Sequence, residues 1–209
     1  MAKDPYRTSA AHYDRFVGPL THALRHIGMK MDPPKPGMKV LEVGCGTGSN
    51  LMLYRQAGCS VYGIDLSPSM LEVARIKLGD DADLQLGDAA NLPYRKDSFD
   101  LVLAMFTLHE MPREIRSTVM SEMIRVTKKV GRILIIDFHP NLSRFPMGWF
   151  YKAFVLLIER VAGREHYSNH RDFLSQKGIP GLIGNQKLMV EDKKIIGAGN
   201  IALFLMKRT

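Results

Sequence analysis

At 209 residues, 45% hydrophobic and 24% charged, the chain is large and apolar enough for one globular domain and is neither a disordered nor a fibrous sequence. The net charge of +8 favours anionic partners (nucleic acid, an acidic membrane surface or an acidic small molecule), although a generally basic surface accounts for it equally well. The two cysteines, Cys45 and Cys59, exclude a disulfide framework and make no metal-ligand spacing, and a polar N-terminus with no bilayer-length apolar run points to a soluble, cytoplasmic protein.

Residues from Arg7 to about Lys30 read as helical, because Ala11, Phe16, Val17, Leu20, Leu24 and Ile27 recur at helical spacings. Gly18-Pro19 predicts a break into two helices. The proline-rich stretch Met31–Gly37 is a linker between this helical arm and the first strand. Val40-Leu41-Glu42-Val43 is an apolar, β-branched run that stops at Gly44-Cys45-Gly46-Thr47-Gly48 and continues as a helix. A strand, a tight loop and a helix N-terminus are expected there, and glycine suits a loop whose backbone lies directly against a ligand. A dinucleotide fingerprint would need its third glycine at Ser49, so the spacing is instead G-x-G-x-G with Glu42 two positions ahead.

Ser60–Asp65 reads as a second strand with an acid at its carboxyl tip. A carboxylate roughly twenty residues beyond such a loop can accept hydrogen bonds from two ribose hydroxyls. Ser67 and Pro68 open the next helix as N-cap and first helical residue, and it runs to about Lys77. Asp83–Leu86 is a short third strand ending at Gly87-Asp88-Ala89, and Ser98–Met105 is the fourth. The loop Phe106–Pro112 therefore falls at the carboxyl ends of the strands, where open α/β sheets bind ligands. A helix comes next, with Ile115, Val119, Met123, Ile124 and Val126 as its stripe and Arg125, Lys128 and Lys129 at its basic end. Gly131 is expected to end it, and Arg132–Phe138 reads as a strand buried on both faces.

Phe145–Arg160 is a dense aromatic and aliphatic helical segment, too short to span a bilayer. It either packs on the sheet, lines an apolar pocket, or touches a membrane surface beside Lys152, Arg160 and Arg164. His166–Arg171 reads as a polar loop. Gly178–Ile183 fits a short helix, and Lys187–Ile196 and Asn200–Met206 fit two strands joined by Gly197-Ala198-Gly199.

The glycine loop, Gly63-Ile64-Asp65-Leu66-Ser67, the Gly87-Asp88-Ala89 stretch with Leu92-Pro93, Ser98-Phe99-Asp100-Leu101-Val102 and Leu108-His109, in that order, resemble the motifs of class I S-adenosylmethionine-dependent methyltransferases. Within that class they resemble the group containing the ubiquinone/menaquinone biosynthesis methyltransferases. The resemblance implies a Rossmann-like α/β fold: a doubly wound, mostly parallel seven-stranded sheet, helices on both faces, and a C-terminal antiparallel hairpin. It divides one domain into a helical arm (1–36), a cofactor core (37–139), a lid-like insertion (140–178) and a C-terminal helix and hairpin (179–209). Gly44, Gly46 and Gly48 would approach the methionine part of the cofactor, Glu42 would order that end, and Cys45 and Met105 would also contact the cofactor. Asp65 would hold the ribose, Leu66 and Met70 would flank the adenine, and Asp88 with the Ala89 N–H would read its edge. Tyr13, in Tyr13-Asp14, would close over it from the arm.

Methyl transfer needs alignment above all, and a base only where the acceptor must lose a proton. His109 is the first candidate for that base and His139 the second, since an imidazole titrates near neutrality. The expected acceptor is an apolar or aromatic small molecule, a quinone precursor or a lipid-like compound, with a peripheral membrane contact left open. Nucleic acid is disfavoured, because Met105-Phe106-Thr107-Leu108 stands where base-amino methylation uses an Asn/Asp-Pro-Pro-Tyr/Phe motif. Transfer to RNA or protein, and cofactor binding without catalysis, remain the alternatives.

Overall fold

The computed structural model describes residues 4, 6–7, 9–140, 149, 153, 156, 160, 163–184 and 186–209. Its centre is a seven-stranded sheet in the order β3-β2-β1-β4-β5-β7-β6. The strands are β1 (Lys39–Val43), β2 (Ser60–Asp65), β3 (Asp83–Leu86), β4 (Phe99–Met105), β5 (Thr127–Phe138), β6 (Leu188–Ile196) and β7 (Ile201–Arg208). The first five run parallel, and β7 pairs antiparallel with both β5 and β6. The predicted class and the closing hairpin are therefore present.

Alternation along the central strands sends successive side chains to opposite faces, and both faces are buried. Leu41, Val43, Val102, Ala104, Ile133 and Ile135 pack on one face with Val119, Met120 and Met123 of α4 (Arg113–Val126). Val40, Leu101, Leu103, Leu134 and Ile136 pack on the other. They meet Leu51 and Tyr54 of α2 (Ser49–Gln56), Leu71 and Leu78 of α3 (Pro68–Leu78), and Leu24 of α1 (Ala10–Met31). Full burial of one such side chain contributes about 1.5–3 kcal/mol relative to leaving it exposed.

Three elements differ from the sequence-based expectation. First, α1 is continuous through Pro19. Its N-terminal half is tied down by Asp14, whose carboxylate accepts from the Thr47 hydroxyl (2.6 Å), the Ser49 hydroxyl (2.8 Å) and Lys77 Nζ (2.5 Å). Its C-terminal half lies on the sheet, with Gly28 close enough to Leu134 and Ile136 that an added Cβ would meet them at 3.1 Å. Beside the proline, the Thr21 hydroxyl donates to the Val17 carbonyl at 2.8 Å. Anchorage at both ends outweighs the cost of one lost backbone bond.

Second, Gly131 does not end a helix. The helix stops at Val126, and β5 begins at Thr127. Gly131 instead sits at a register shift between β5 and β4, where a Cβ would meet the Phe99 and Asp100 carbonyls at 2.9 Å. Third, His166–Arg171 is not a loop but part of α5 (Arg164–Ser175), followed by α6 (Gly178–Ile183). Its sequence is polar because only His170 and Phe173 are buried. The aromatic segment 145–160, part of the expected lid, lies mostly outside the described residues. Among the described residues no helix is long and apolar enough to cross a membrane.

Candidate active site

The loops at the carboxyl ends of β1, β2, β4 and β5 converge, and the glycine loop is held by its neighbours. The Gly44 and Cys45 N–H groups both donate to the Ile64 carbonyl, at 2.9 and 3.1 Å. Gly44 has φ 66°, and a Cβ there would run into the Thr107 side chain, so neither backbone nor space allows another residue. Gly48 has φ 71° and lies under Leu78 of α3, where a Cβ would meet Leu78 Cδ1 at 2.7 Å.

Asp65 stands between this loop and the start of α3. Its Oδ2 accepts from the Gly46 N–H and its Oδ1 from the Ser67 N–H, each at 2.8 Å. Burial raises its pKa above the ordinary carboxylate value, and nearby Asp4 adds to this, while the two N–H bonds oppose it. Asp4, ahead of α1, accepts from the Ser67 hydroxyl (2.8 Å) and the Ser69 N–H (3.2 Å). Beyond Asp65, Leu66 is 71% exposed. Met70 is buried in α3, Ala89 is buried at the β3–β4 connection, and Asp88 accepts from the Ala90 N–H at 2.9 Å.

Glu42, on β1, is almost wholly buried. Asn50 Nδ2 donates to its Oε1 (3.0 Å) and lies 3.5 Å from Met105 Sδ, while Oε2 has no hydrogen-bond partner among the described residues. Burial pushes its pKa to about 8, with the Asn50 bond opposing. Burial likewise pushes the Cys45 thiol well up. In the unfolded chain Glu42 loses its proton near 4.5, whereas the folded protein keeps it to about 8. Across that window the native state holds the extra proton, so stability falls as pH rises from about 5 to about 8. Glu42→Gln is expected to flatten that decline and add on the order of 3 kcal/mol at about pH 8. Denaturant titrations of both proteins at several pH values check it; parallel curves for the two proteins would contradict it.

The strongest polar constellation surrounds a short 3₁₀ turn, Leu108–Glu110. The buried His109 donates from Nδ1 to Asp137 Oδ1 at 2.7 Å. Asp137, fully buried near the end of β5, also accepts from the N–H groups of Leu108 (3.1 Å), His109 (3.3 Å) and Phe138 (2.8 Å). That set fixes the ring and its tautomer. Buried Arg116 of α4 holds the turn from beneath: Nε–H donates to the Leu108 carbonyl (3.0 Å), and its other nitrogens reach Asp172 and the Asn169 carbonyl of α5. Glu110 Oε1 lies 3.9 Å from His109 Nε2 and 3.9 Å from His166 Nδ1. The Tyr6 hydroxyl donates to both Glu110 oxygens, at 3.1 and 3.2 Å, and its ring meets Tyr13 edge-on. Phe106, at a positive φ of 51°, stacks near Phe138, which in turn meets His109. A non-glycine residue held there stores strain of the kind found beside ligand sites.

The structure thus brings Tyr13, Glu42, the glycine loop, Asp65, Met105 and His109 together at the carboxyl end of the sheet. His139 sits toward the hairpin instead: its N–H bonds the Asn200 carbonyl, and burial first, then Lys193, lowers its pKa. Sequence reading missed Asp137 and Arg116. Each left a signal: an acid inside an apolar strand, and an arginine in helical register with Val119, Met120 and Met123.

Residues 41–135 match the family model described as methyltransferase domain. The chain is 33% identical over 174 residues to the phosphatidylethanolamine N-methyltransferase of Cereibacter sphaeroides, covering 81% of this chain and 79% of that one. It is 38% identical over 182 residues to the demethylmenaquinone methyltransferase of Lactococcus lactis subsp. lactis, covering 79% and 71%. Against the enzyme of that name from Renibacterium salmoninarum it is 37% identical over 111 residues, 53% of this chain and 46% of the other. In such shorter matches the chain spans about half the relatives' own length. A putative methyltransferase of Haloferax volcanii, solved with the Trm112 activator, superposes with a TM-score of 0.74 at 19% identity, covering 100% and 99%. An S-adenosylmethionine-dependent methyltransferase from Aquifex aeolicus superposes at 0.66 and 18% identity, covering 95% and 97%.

Proposed function

The chain belongs to the S-adenosylmethionine-dependent methyltransferases, and from that membership we propose that it moves the donor's methyl group to a lipid-like small molecule whose acceptor atom first yields a proton to His109. When bound, S-adenosylmethionine supplies an electrophilic methyl on a sulfonium. The residues at these strand ends suit that molecule. Glu42 Oε2, buried without a hydrogen-bond partner among the described residues, suits its ammonium, directly or through a water. Asp65, each of whose oxygens accepts one backbone N–H, keeps further lone pairs for ribose hydroxyls, and exposed Leu66 offers the adenine an apolar face. Asp88 and the Ala89 N–H would serve the adenine edge.

The observation carrying the acceptor half is the buried Asp137–His109 pair. A histidine whose Nδ1–H is so held is suited to accepting a proton at Nε2. The remaining contribution is alignment, to which Arg116 adds by holding the turn that carries His109. The names of the relatives, a demethylmenaquinone and a phosphatidylethanolamine enzyme, both point to lipid-borne acceptors, and the net charge of +8 suits an acidic membrane surface.

The test has two steps. Calorimetry with S-adenosylhomocysteine should show binding. Radiolabelled donor, offered with separate lipid, RNA, protein and small-molecule extracts, should then label the lipid fraction. Label in RNA alone, or binding with no label in any fraction, overturns this reading.

A further inference from the structure

We propose that β6 is a dimerisation edge, on which two copies of this chain pair antiparallel about a two-fold axis at Lys193. The inference stands apart from the methyl-transfer reading and survives or falls without it.

β6 closes one side of the sheet. β7 is hydrogen-bonded to it, and among the described residues no strand lies beyond it. An open edge presents a row of backbone N–H and C=O groups that can template another strand. Three of its large apolar side chains are exposed: Met189 at 44%, Val190 at 39% and Ile195 at 42%.

Pairing with β7 fixes the face that each residue occupies. Val190, Lys193 and Ile195 lie opposite Met206, Phe204 and Ala202, on the face that packs with α4. Asp192, Lys194 and Ile196 lie opposite Leu205, Leu203 and Ile201, on the face that packs with α1. Met189 lies opposite Lys207, which shares that second face with Leu205. A bulge falls between Val190 and Asp192. Glu191 there reaches Arg132 Nε (2.7 Å) and Lys207 Nζ (3.0 Å), so it joins Asp192 on the second face. From Met189 to Ile196 the strand runs two apolar residues, two acids, two bases and two apolar residues. That order is complementary to its own reversal.

With the axis at Lys193, Met189 meets Ile196 of the second copy and Val190 meets Ile195, apolar on apolar and face on face. The bulged Glu191–Asp192 pair meets Lys194. Symmetry makes each of these contacts twice. An axis at Lys194 would instead set Lys193 against Ile195, and one at the bulge would set Val190 against Lys193 and acids against acids. Only one contact of the favoured register is adverse, Lys193 facing its own copy. Charges and a bulge on an edge turn foreign strands away. A second β6 carries the matching bulge and the reversed order of charge, so it is the strand this edge admits.

Sedimentation velocity across a range of concentrations should show the whole chain passing from the mass of one chain to that of two. Val190→Lys should weaken the association at least about tenfold, because symmetry counts each lost pair twice. Lys193→Gln should tighten it, since the adverse contact is removed. The register has its own readout. Lys193→Cys puts two thiols across the axis with Cα atoms about 4.5–5.5 Å apart, within disulfide reach, and diamide should join the copies while taking up the two electrons and two protons released. Lys194→Cys lies more than about 7 Å from its own copy and should not join. The chain's own Cys45 and Cys59 are buried. The mass of one chain at every concentration, an association unchanged by Val190→Lys, or joining at position 194 as fast as at 193 overturns the proposal. Should Val190→Lys fail to fold, the two cysteine variants decide alone.

Discussion

His109→Ala is expected to lower kcat by roughly a hundred- to ten-thousand-fold, the range over which a positioned base contributes. Asp137 accepts from the His109 ring and from the backbone N–H groups of Leu108, His109 and Phe138, so one buried carboxylate holds both the ring and the turn that carries it. Two controls separate chemistry from folding. S-adenosylhomocysteine affinity should change little, because the glycine loop is anchored by Ile64 and Asp65 and not by His109. The acid limb of the pH–rate profile should vanish with the imidazole, since the base works only when neutral. Asp137→Asn should sit between the two proteins, keeping the ring but loosening its tautomer. Unchanged turnover of the alanine variant with the true acceptor, across pH, would remove His109 from the role.

Asp65→Ala is expected to weaken S-adenosylhomocysteine binding at least about a hundredfold. A hydrogen bond to a charged group is worth about 1.5–3 kcal/mol, so losing two ribose contacts amounts to about 3–6 kcal/mol. The substitution also strips the Gly46 and Ser67 N–H groups of their acceptor, letting the glycine loop drift from α3. The start of α3 should survive, because the Ser67 hydroxyl accepts from the Met70 N–H and Asp4 accepts from Ser67 and Ser69. Melting without ligand should therefore shift far less than affinity. Calorimetry on the two proteins checks this; an affinity within a few-fold of the unsubstituted chain would mean that the ribose is held elsewhere.

The central sheet was legible because parallel strands buried on both faces leave unbroken apolar runs, as in Arg132–Phe138, and because acids mark their tips, as at Asp65. Pro19 misled because its local cost is outweighed by Asp14 at one end of α1 and by the sheet at the other, contacts that periodicity does not encode. Gly131 misled because a glycine at a strand register shift looks, in one dimension, like a helix stop. The candidate donor residues could be named from short motifs, since the glycine loop, Asp65 and Asp88 lie at or just beyond strand ends. The polar cluster around His109 could not, because Tyr6, Glu110, Asp137 and His166 come from distant stretches and meet only through the fold.

The Asp14 clasp bears on how the protein is made. Helix α1 leaves the ribosome before Thr47, Ser49 and Lys77, which grip its first half, and before Leu134 and Ile136, on which Gly28 rests. It must wait as an unmoored amphipathic rod until much of the chain has been synthesised, and it docks late. A nascent chain stalled before β5 emerges would then carry a protease-sensitive arm, and release of the stall would be what seals it.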